Sequence, residues 1–233
     1  MKITGERVIP NINKIENIFQ EHIIRYEFAG QFCKNKIVLD LGCGAGYGTE
    51  LLRKNKAKKV FGIDISKEAI DYCKKNYPLC NFKVGNMLDT KYPSNYFDII
   101  VCFEVIEHIK EHEEIMFEIK RILKKNGVLV MSTPNKKIHA NESKFHVKEL
   151  DENEFKRLLD KYFKTNKLFY EYYPYNIALR NFDNKQTLFS LENRTKTNKD
   201  YFIFISTDRK KRIMINNLIK EFKSKTLPFK KID

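Results

Sequence analysis

Two histidines and two glutamates are the side chains best suited to acid–base work: Glu104, Glu107 and His108 in one short run, and His146 in Phe145-His146-Val147. An imidazole exchanges a proton near neutral pH without special tuning, so His108 and His146 are candidate bases for deprotonating a hydroxyl. Glu104 and His108 are four residues apart, which predicts that they share one helical face with Glu107 beside them. Glu104, Glu107, His108 and His146 also make a donor set suited to Mg, Mn or Zn, although the expectation adopted is a metal-free site. His112 and His139 read as surface residues.

A second stretch carries binding rather than proton chemistry. Ile37-Val38-Leu39-Asp40-Leu41 is a short apolar run, and Gly42, Gly44, Gly46 and Gly48 follow at every second position. The run is too apolar for a loop and reads as a buried parallel strand. The glycines let the backbone approach a ligand closely. Strand, glycine turn and helix form the nucleotide-binding corner of a doubly wound α/β fold. A dinucleotide site needs G-x-G-x-x-G, but Tyr47 and Thr49 fill the last slot counted from Gly42 and Gly44. The spacing present is D-x-G-x-G-x-G, with Asp40 as the acid.

The elements that must hold these groups follow in order. Residues 11–34 predict a helix carrying His22 and Arg25-Tyr26, after a non-helical Thr4–Pro10. Lys59–Ile65 is a second strand ending in Asp64, placed to accept the two hydroxyls of a ribose. Ser66 caps a helix running to about Lys75, and Asn81–Met87 is a third strand and its exit. Tyr96–Phe103 is a central strand that delivers Glu104. A helix over 112–124 and a strand over 127–133 come next, then a polar loop at 135–150, long enough to be functional. Asp151 caps a helix over 152–161, and 168–173 and 201–206 read as the last two strands. The stretch between them, 176–200, reads as an insertion, and 209–224 as a basic terminal helix.

Composition narrows the function classes. The 233 residues suffice for one sizeable core, and 42% hydrophobic content excludes a disordered chain. No apolar run approaches the roughly 20 residues of a membrane helix. The opening Met1–Arg7 has no apolar signal core, so a cytoplasmic protein without stable membrane insertion is expected. Five cysteines at 33, 43, 73, 80 and 102 form no C-x-x-C pair and read as free buried thiols. The net charge of +14 is uneven: residues 161–233 hold 17 basic and 7 acidic side chains. Such a tail suits a nucleic acid, a phosphorylated substrate or an anionic surface, while lysine-rich usage throughout the chain offers a blander reading.

Taken together, the glycine loop, the acid-ended second strand, Glu104-x-x-Glu107-His108, Ser132-Thr133-Pro134-Asn135 and Phe145–Leu150 resemble the class I S-adenosylmethionine (SAM) methyltransferases over residues 1–206. More narrowly, Thr4–Arg7 and Arg25-Tyr26, together with the Gly42–Gly48 loop, Glu104-x-x-Glu107-His108, Ser132–Asn135 and Phe145–Leu150, resemble a small bacterial branch thought to methylate sugars, sugar nucleotides or glycan ends in polysaccharide biosynthesis. The resemblance implies one Rossmann-like domain with a seven-stranded, mostly parallel sheet in the order 3-2-1-4-5-7-6 and helices on both faces. Residues 1–34 would lid the cofactor, 135–150 would face substrate, and 207–233 would form a basic tail.

It further implies SAM as cofactor and S-adenosylhomocysteine as product. His22 or Arg25 would lie near the cofactor carboxylate, and Asp40, Gly42, Gly44 and Gly46 around its amino-acid end. Asp64 would meet the ribose, Asn86 and Met87 the adenine, and Ile65, Phe103 and Glu104 would also bind the cofactor. His108 and His146 would face a small-molecule or glycan acceptor. Similar E-x-x-E-H patterns bind metal in small-RNA 2′-O-methyltransferases and some ubiquinone-pathway enzymes. A metal-dependent RNA methyltransferase is therefore the alternative function, and a non-catalytic SAM-binding subunit is the third.

Overall fold

The computed structural model describes residues 16–139, 143–172, 176–180, 186–189 and 199–207. The expectations for Thr4–Pro10 and for the helix at 209–224 lie outside these residues. Helix α1 (Glu16–Gly30) precedes strand β1 (Ile37–Leu41), helix α2 (Tyr47–Lys54), strand β2 (Lys59–Asp64), helix α3 (Lys67–Asn76) and strand β3 (Asn81–Val84). Strand β4 (Phe97–Phe103) runs into a single 3-10 turn (Ile106–His108), followed by helix α4 (His112–Ile122) and strand β5 (Leu123–Pro134). Helices α5 (Lys136–His139) and α6 (Glu152–Tyr162) come before strands β6 (Thr165–Tyr172), β7 (Asn176–Arg180), β8 (Gln186–Phe189) and β9 (Lys199–Thr207).

Among the described residues these strands form one nine-stranded sheet, ordered β3-β2-β1-β4-β5-β9-β6-β7-β8. The first five run parallel, with Leu39 of β1 beside Phe61 of β2 and Ile100 of β4. From β5 onward each neighbour is antiparallel. The count of seven is thus corrected to nine. The stretch taken for an insertion at 176–200 supplies β7 and β8, which continue the sheet edge. Its asparagines hide short strands that, among the described residues, pair with each other and with β6.

Alternation along each strand divides the core in two. Val38, Val60, Ile99, Val101 and Val130 face one way, toward Tyr26, Phe28, Leu52, Ile70 and Cys73 of the first three helices. Leu39, Leu41, Ile63, Ile100, Leu129 and Met131 face the other way, toward Ile115, Ile119, Phe155 and Leu159 of α4 and α6. Asp151 and Glu154 form a reciprocal capping box at the start of α6. All five cysteines are free and buried. Covered on both faces, the parallel strands leave one open rim beyond their carboxyl ends, where β1, β2, β4 and β5 deliver the glycine loop, Asp64, Glu104 and the loop to His146.

Candidate active site

The glycine loop is shaped by what surrounds it. Gly42, Gly44 and Gly46 have φ of 80°, 50° and 79°, the left-handed region that side chains resist. A Cβ on Gly42 would stand 2.5 Å from Val105, and one on Gly46 2.6 Å from the Cys73 sulfur. A Cβ on Gly44 would meet nothing within 4 Å. The loop is therefore packed shut behind Gly42 and Gly46 and open in front of Gly44. Asp64 fixes that opening: its Oδ2 accepts the Gly44 N–H at 3.0 Å and its Oδ1 the Ser66 N–H at 2.8 Å. Ile65, next in the chain, is 67% exposed, an apolar side chain left uncovered beside the opening.

Asp40 is fully buried under the loop and accepts hydrogen bonds from Tyr26 Oη at 3.0 Å and Thr49 Oγ1 at 2.6 Å. Burial pushes its carboxyl up to about 7, with Asp64 adding to the rise and the two hydroxyls opposing it. Both oxygens serve the protein, so Asp40 ties α1 and α2 to β1. The His22 Nδ1 and the Tyr47 Oη share a hydrogen bond of 2.7 Å, and burial together with the Arg25 charge holds His22 well below its usual range. His22 is consequently neutral, and Arg25 supplies the positive charge on this side.

Arg25 is completely buried and meets Glu104 Oε1 at 3.1 Å; the same oxygen accepts from Ser132 Oγ at 2.6 Å. Glu104 has φ 52°, so the chain turns sharply as it leaves β4. This overturns the shared helical face expected of Glu104 and His108. One 3-10 turn separates them, sending Glu104 to Arg25 and His108 to the loop after β5. Glu107 is buried, accepts from Thr133 Oγ1 at 3.2 Å, and is pushed well above the usual carboxylate range by burial and by Glu104.

His108 and His146 come together with ring centroids 5.2 Å apart, edge to face. The His108 Nδ1 donates to the Phe145 carbonyl at 3.1 Å, and the His146 Nδ1 donates to Glu149 Oε1 at 2.6 Å. An acceptor-only partner on each Nδ1 places the proton there and leaves Nε2 as the basic nitrogen. Of the four groups considered for a metal, Glu104 is engaged elsewhere. Glu107, His108 and His146 offer donor atoms within 4.8 Å of one another.

The remaining expectations divide. Asn86 uses its side-chain oxygen to accept the Leu88 N–H at 2.9 Å, closing a turn after β3. Met87 packs partly buried against the α4 side of the core, and Phe103 is buried edge-on to Tyr26 at 5.1 Å. His112, taken for a surface residue, is buried and donates from Nε2 to the Ile106 carbonyl at 2.9 Å, bracing the 3-10 turn; burial lowers its pKa. The sequence reading assigned no role to Tyr26, Thr49, Tyr47, Ser132, Thr133 or Glu149. Tyr26, Ser132 and Thr133 lay within motifs, and Glu149 stood three residues beyond His146.

A glycine loop open at Gly44, an acid ending β2 and a titratable cluster after β4 stand together at the rim of a doubly wound sheet. The profile of the methyltransferase-domain family matches residues 33–199, and the chain belongs to that family, within the class I SAM-dependent methyltransferases. It is 31% identical over 165 residues to a probable S-adenosylmethionine-dependent methyltransferase of Mycolicibacterium smegmatis, covering 69% of this chain and 64% of that one. It is 35% identical over 131 residues to the ubiquinone biosynthesis O-methyltransferase of Pelagibacter ubique, covering 54% and 52%. The chain thus spans between half and two thirds of these relatives. A SAM-dependent methyltransferase from Archaeoglobus fulgidus shares the fold, with TM-score 0.60, 19% identity, and 82% and 93% of the two chains covered. SAM is the cofactor of this family, and the open face at Gly44 with exposed Ile65 fits a nucleoside there. Among the described residues no helix is long and apolar enough to cross a membrane.

Proposed function

We propose that this chain methylates a hydroxyl of a sugar, sugar nucleotide or surface-glycan precursor, with a histidine removing the hydroxyl proton. The observation that carries the reading is the His108–His146 pair, each ring anchored through Nδ1 and set beyond the end of β4. The O-methyl chemistry named for the Pelagibacter relative agrees with an oxygen acceptor.

SAM supplies an electrophilic methyl on a cationic sulfur. Arg25 would hold the cofactor carboxylate, Asp64 the ribose hydroxyls, and Met87 would flank the adenine. Glu104 holds Arg25 in place. Alignment of the acceptor oxygen with the methyl supplies several kcal/mol of the barrier reduction. The imidazole Nε2 atoms wait where the acceptor arrives.

The test is transfer of labelled methyl from SAM into RNA, nucleotide-sugar and polysaccharide fractions of cell extract, with and without a chelator. Label in sugar fractions that survives chelation supports the proposal. Chelator-sensitive label in RNA replaces it with a metal-dependent RNA methyltransferase holding the ion through Glu107, His108 and His146. Tight SAM binding with no label in any fraction replaces it with a non-catalytic subunit.

A further inference from the structure

The segment that carries His146 is fastened more firmly than a polar loop requires. The Val147 and Lys148 N–H groups both donate to the Glu107 carbonyl, at 2.8 and 3.1 Å, while the Phe145 carbonyl accepts from His108. The His146 N–H donates to the Ser143 carbonyl at 3.2 Å. The backbone on each side of His146 is thus pinned to the turn after β4. That leaves rotation of the ring as its main freedom. Glu149 removes it, since its Oε1 lies 2.6 Å from His146 Nδ1, with both side chains largely buried at 9% and 15% exposure.

We propose that Glu149 is a positioning residue for methyl transfer, holding His146 as the Nδ1–H tautomer so that Nε2 takes the proton of the acceptor hydroxyl. The inference rests on the reading of His146 as the base. The step balances: the hydroxyl O–H bond breaks and its proton passes to His146 Nε2. The oxygen bonds to the methyl carbon as the carbon–sulfur bond breaks, and the sulfur leaves as a neutral thioether. Positive charge then appears on the His146 ring, and its hydrogen bond to a carboxylate strengthens as it does. The His108 Nδ1 donates to a carbonyl, a neutral acceptor that responds less. The carboxylate on His146 Nδ1 favours that ring for the proton, with His108 orienting the acceptor.

In water a neutral histidine prefers the Nε2–H tautomer, so the proposal predicts an observable without any acceptor present. The full chain, labelled with ¹⁵N-histidine and saturated with S-adenosylhomocysteine, is examined by long-range proton–nitrogen spectra, in which its five histidines are assignable. Wild type should show His146 as Nδ1–H. Glu149→Ala should move it to Nε2–H, whereas Glu149→Gln, which keeps an acceptor oxygen, should retain Nδ1–H. In transfer to the label-accepting fraction, Glu149→Ala should lose about 100-fold in kcat with KM for SAM within about twofold, and Glu149→Gln about tenfold. An unchanged tautomer in Glu149→Ala, or wild-type turnover in that variant while His146→Ala is inactive, overturns the role of Glu149. Wild-type turnover in His146→Ala, or loss of transfer on chelation, overturns the reading of His146 as base and the proposal with it.

Discussion

Arg25 and Glu104 meet at 3.1 Å where α1 crosses the end of β4, joining a fully buried guanidinium to a carboxylate on left-handed backbone. Ser132 Oγ, from the adjacent β5, donates to the same carboxylate oxygen. The first described helix is thereby locked to the two strand ends that build the acceptor side. Breaking a buried pair by deleting one partner is costly because the other charge stays behind.

Glu104→Ala is therefore expected to lose about 3–5 kcal/mol of stability. Its affinity for S-adenosylhomocysteine should fall by at least about tenfold, or ~1.4 kcal/mol. Urea unfolding and calorimetric titration check the two effects. Wild-type affinity in a folded Glu104→Ala protein would separate the ion pair from the cofactor site.

Asp40 gives the protein a pH signature. In the unfolded chain its carboxyl releases its proton near 3.8, while in the folded protein it does so at about 7. Between these values the native state binds more protons, so stability falls as pH rises from about 4 to 7 and then levels off. The difference amounts to an order of 4 kcal/mol. Asp40→Asn, whose amide the Tyr26 and Thr49 hydroxyls can reorient to meet, should flatten this dependence. Urea unfolding in half-unit steps from about pH 4 to 8 measures it. An unchanged slope in Asp40→Asn would assign the titration to another group.

The parallel half of the sheet was legible because fully buried strands announce themselves as unbroken apolar runs. Ile37–Leu41, Lys59–Asp64 and Phe97–Phe103 appear where that pattern places them. Strands β7 and β8 were not legible, since Asn176–Arg180 and Gln186–Phe189 carry no long apolar run and exist by pairing at an edge. At the site, spacing singled out Asp64, the glycines and both histidines, which the structure gathers at the open rim of the sheet. It misjudged Glu104, because four residues mark one face only if the chain is helical, and β4 exits through left-handed backbone and one 3-10 turn. It misplaced His112 because a histidine that bonds a carbonyl in the interior looks like any other polar residue at a helix start. The hydroxyls of Tyr26, Thr49, Ser132 and Thr133 lay beyond it, as their carboxylate partners are 9 to 28 residues away.

Alanine at the glycine loop should split binding from folding. At Gly44 a Cβ enters open space, so Gly44→Ala is expected to fold with a conformational cost of about 1–2 kcal/mol while losing cofactor affinity. At Gly42 the Cβ strikes Val105 at 2.5 Å, and Gly42→Ala should lose markedly more stability. Thermal melts with and without S-adenosylhomocysteine distinguish them. Full cofactor stabilisation in Gly44→Ala would mean that the ligand lies elsewhere.

Burial and Glu104 push the Glu107 carboxyl well above its usual range, toward the neutral form that Gln mimics, so Glu107→Gln should keep its stability within about 1 kcal/mol. Glu107→Ala strips Thr133 of its buried acceptor and should cost about 1–3 kcal/mol. Thermal melts of the two variants provide the comparison. A large loss in Glu107→Gln, accompanied by loss of a bound divalent ion, would instead show an anionic ligand.

The most direct test of the central claim is to supply SAM carrying a ¹³C methyl and to read the methyl carbon of the purified product by NMR. The account predicts a methyl ether on a sugar carbon, formed by wild type and lost in His146→Ala. An N-methyl signal, or a methyl on RNA ribose that disappears with chelation, would contradict it.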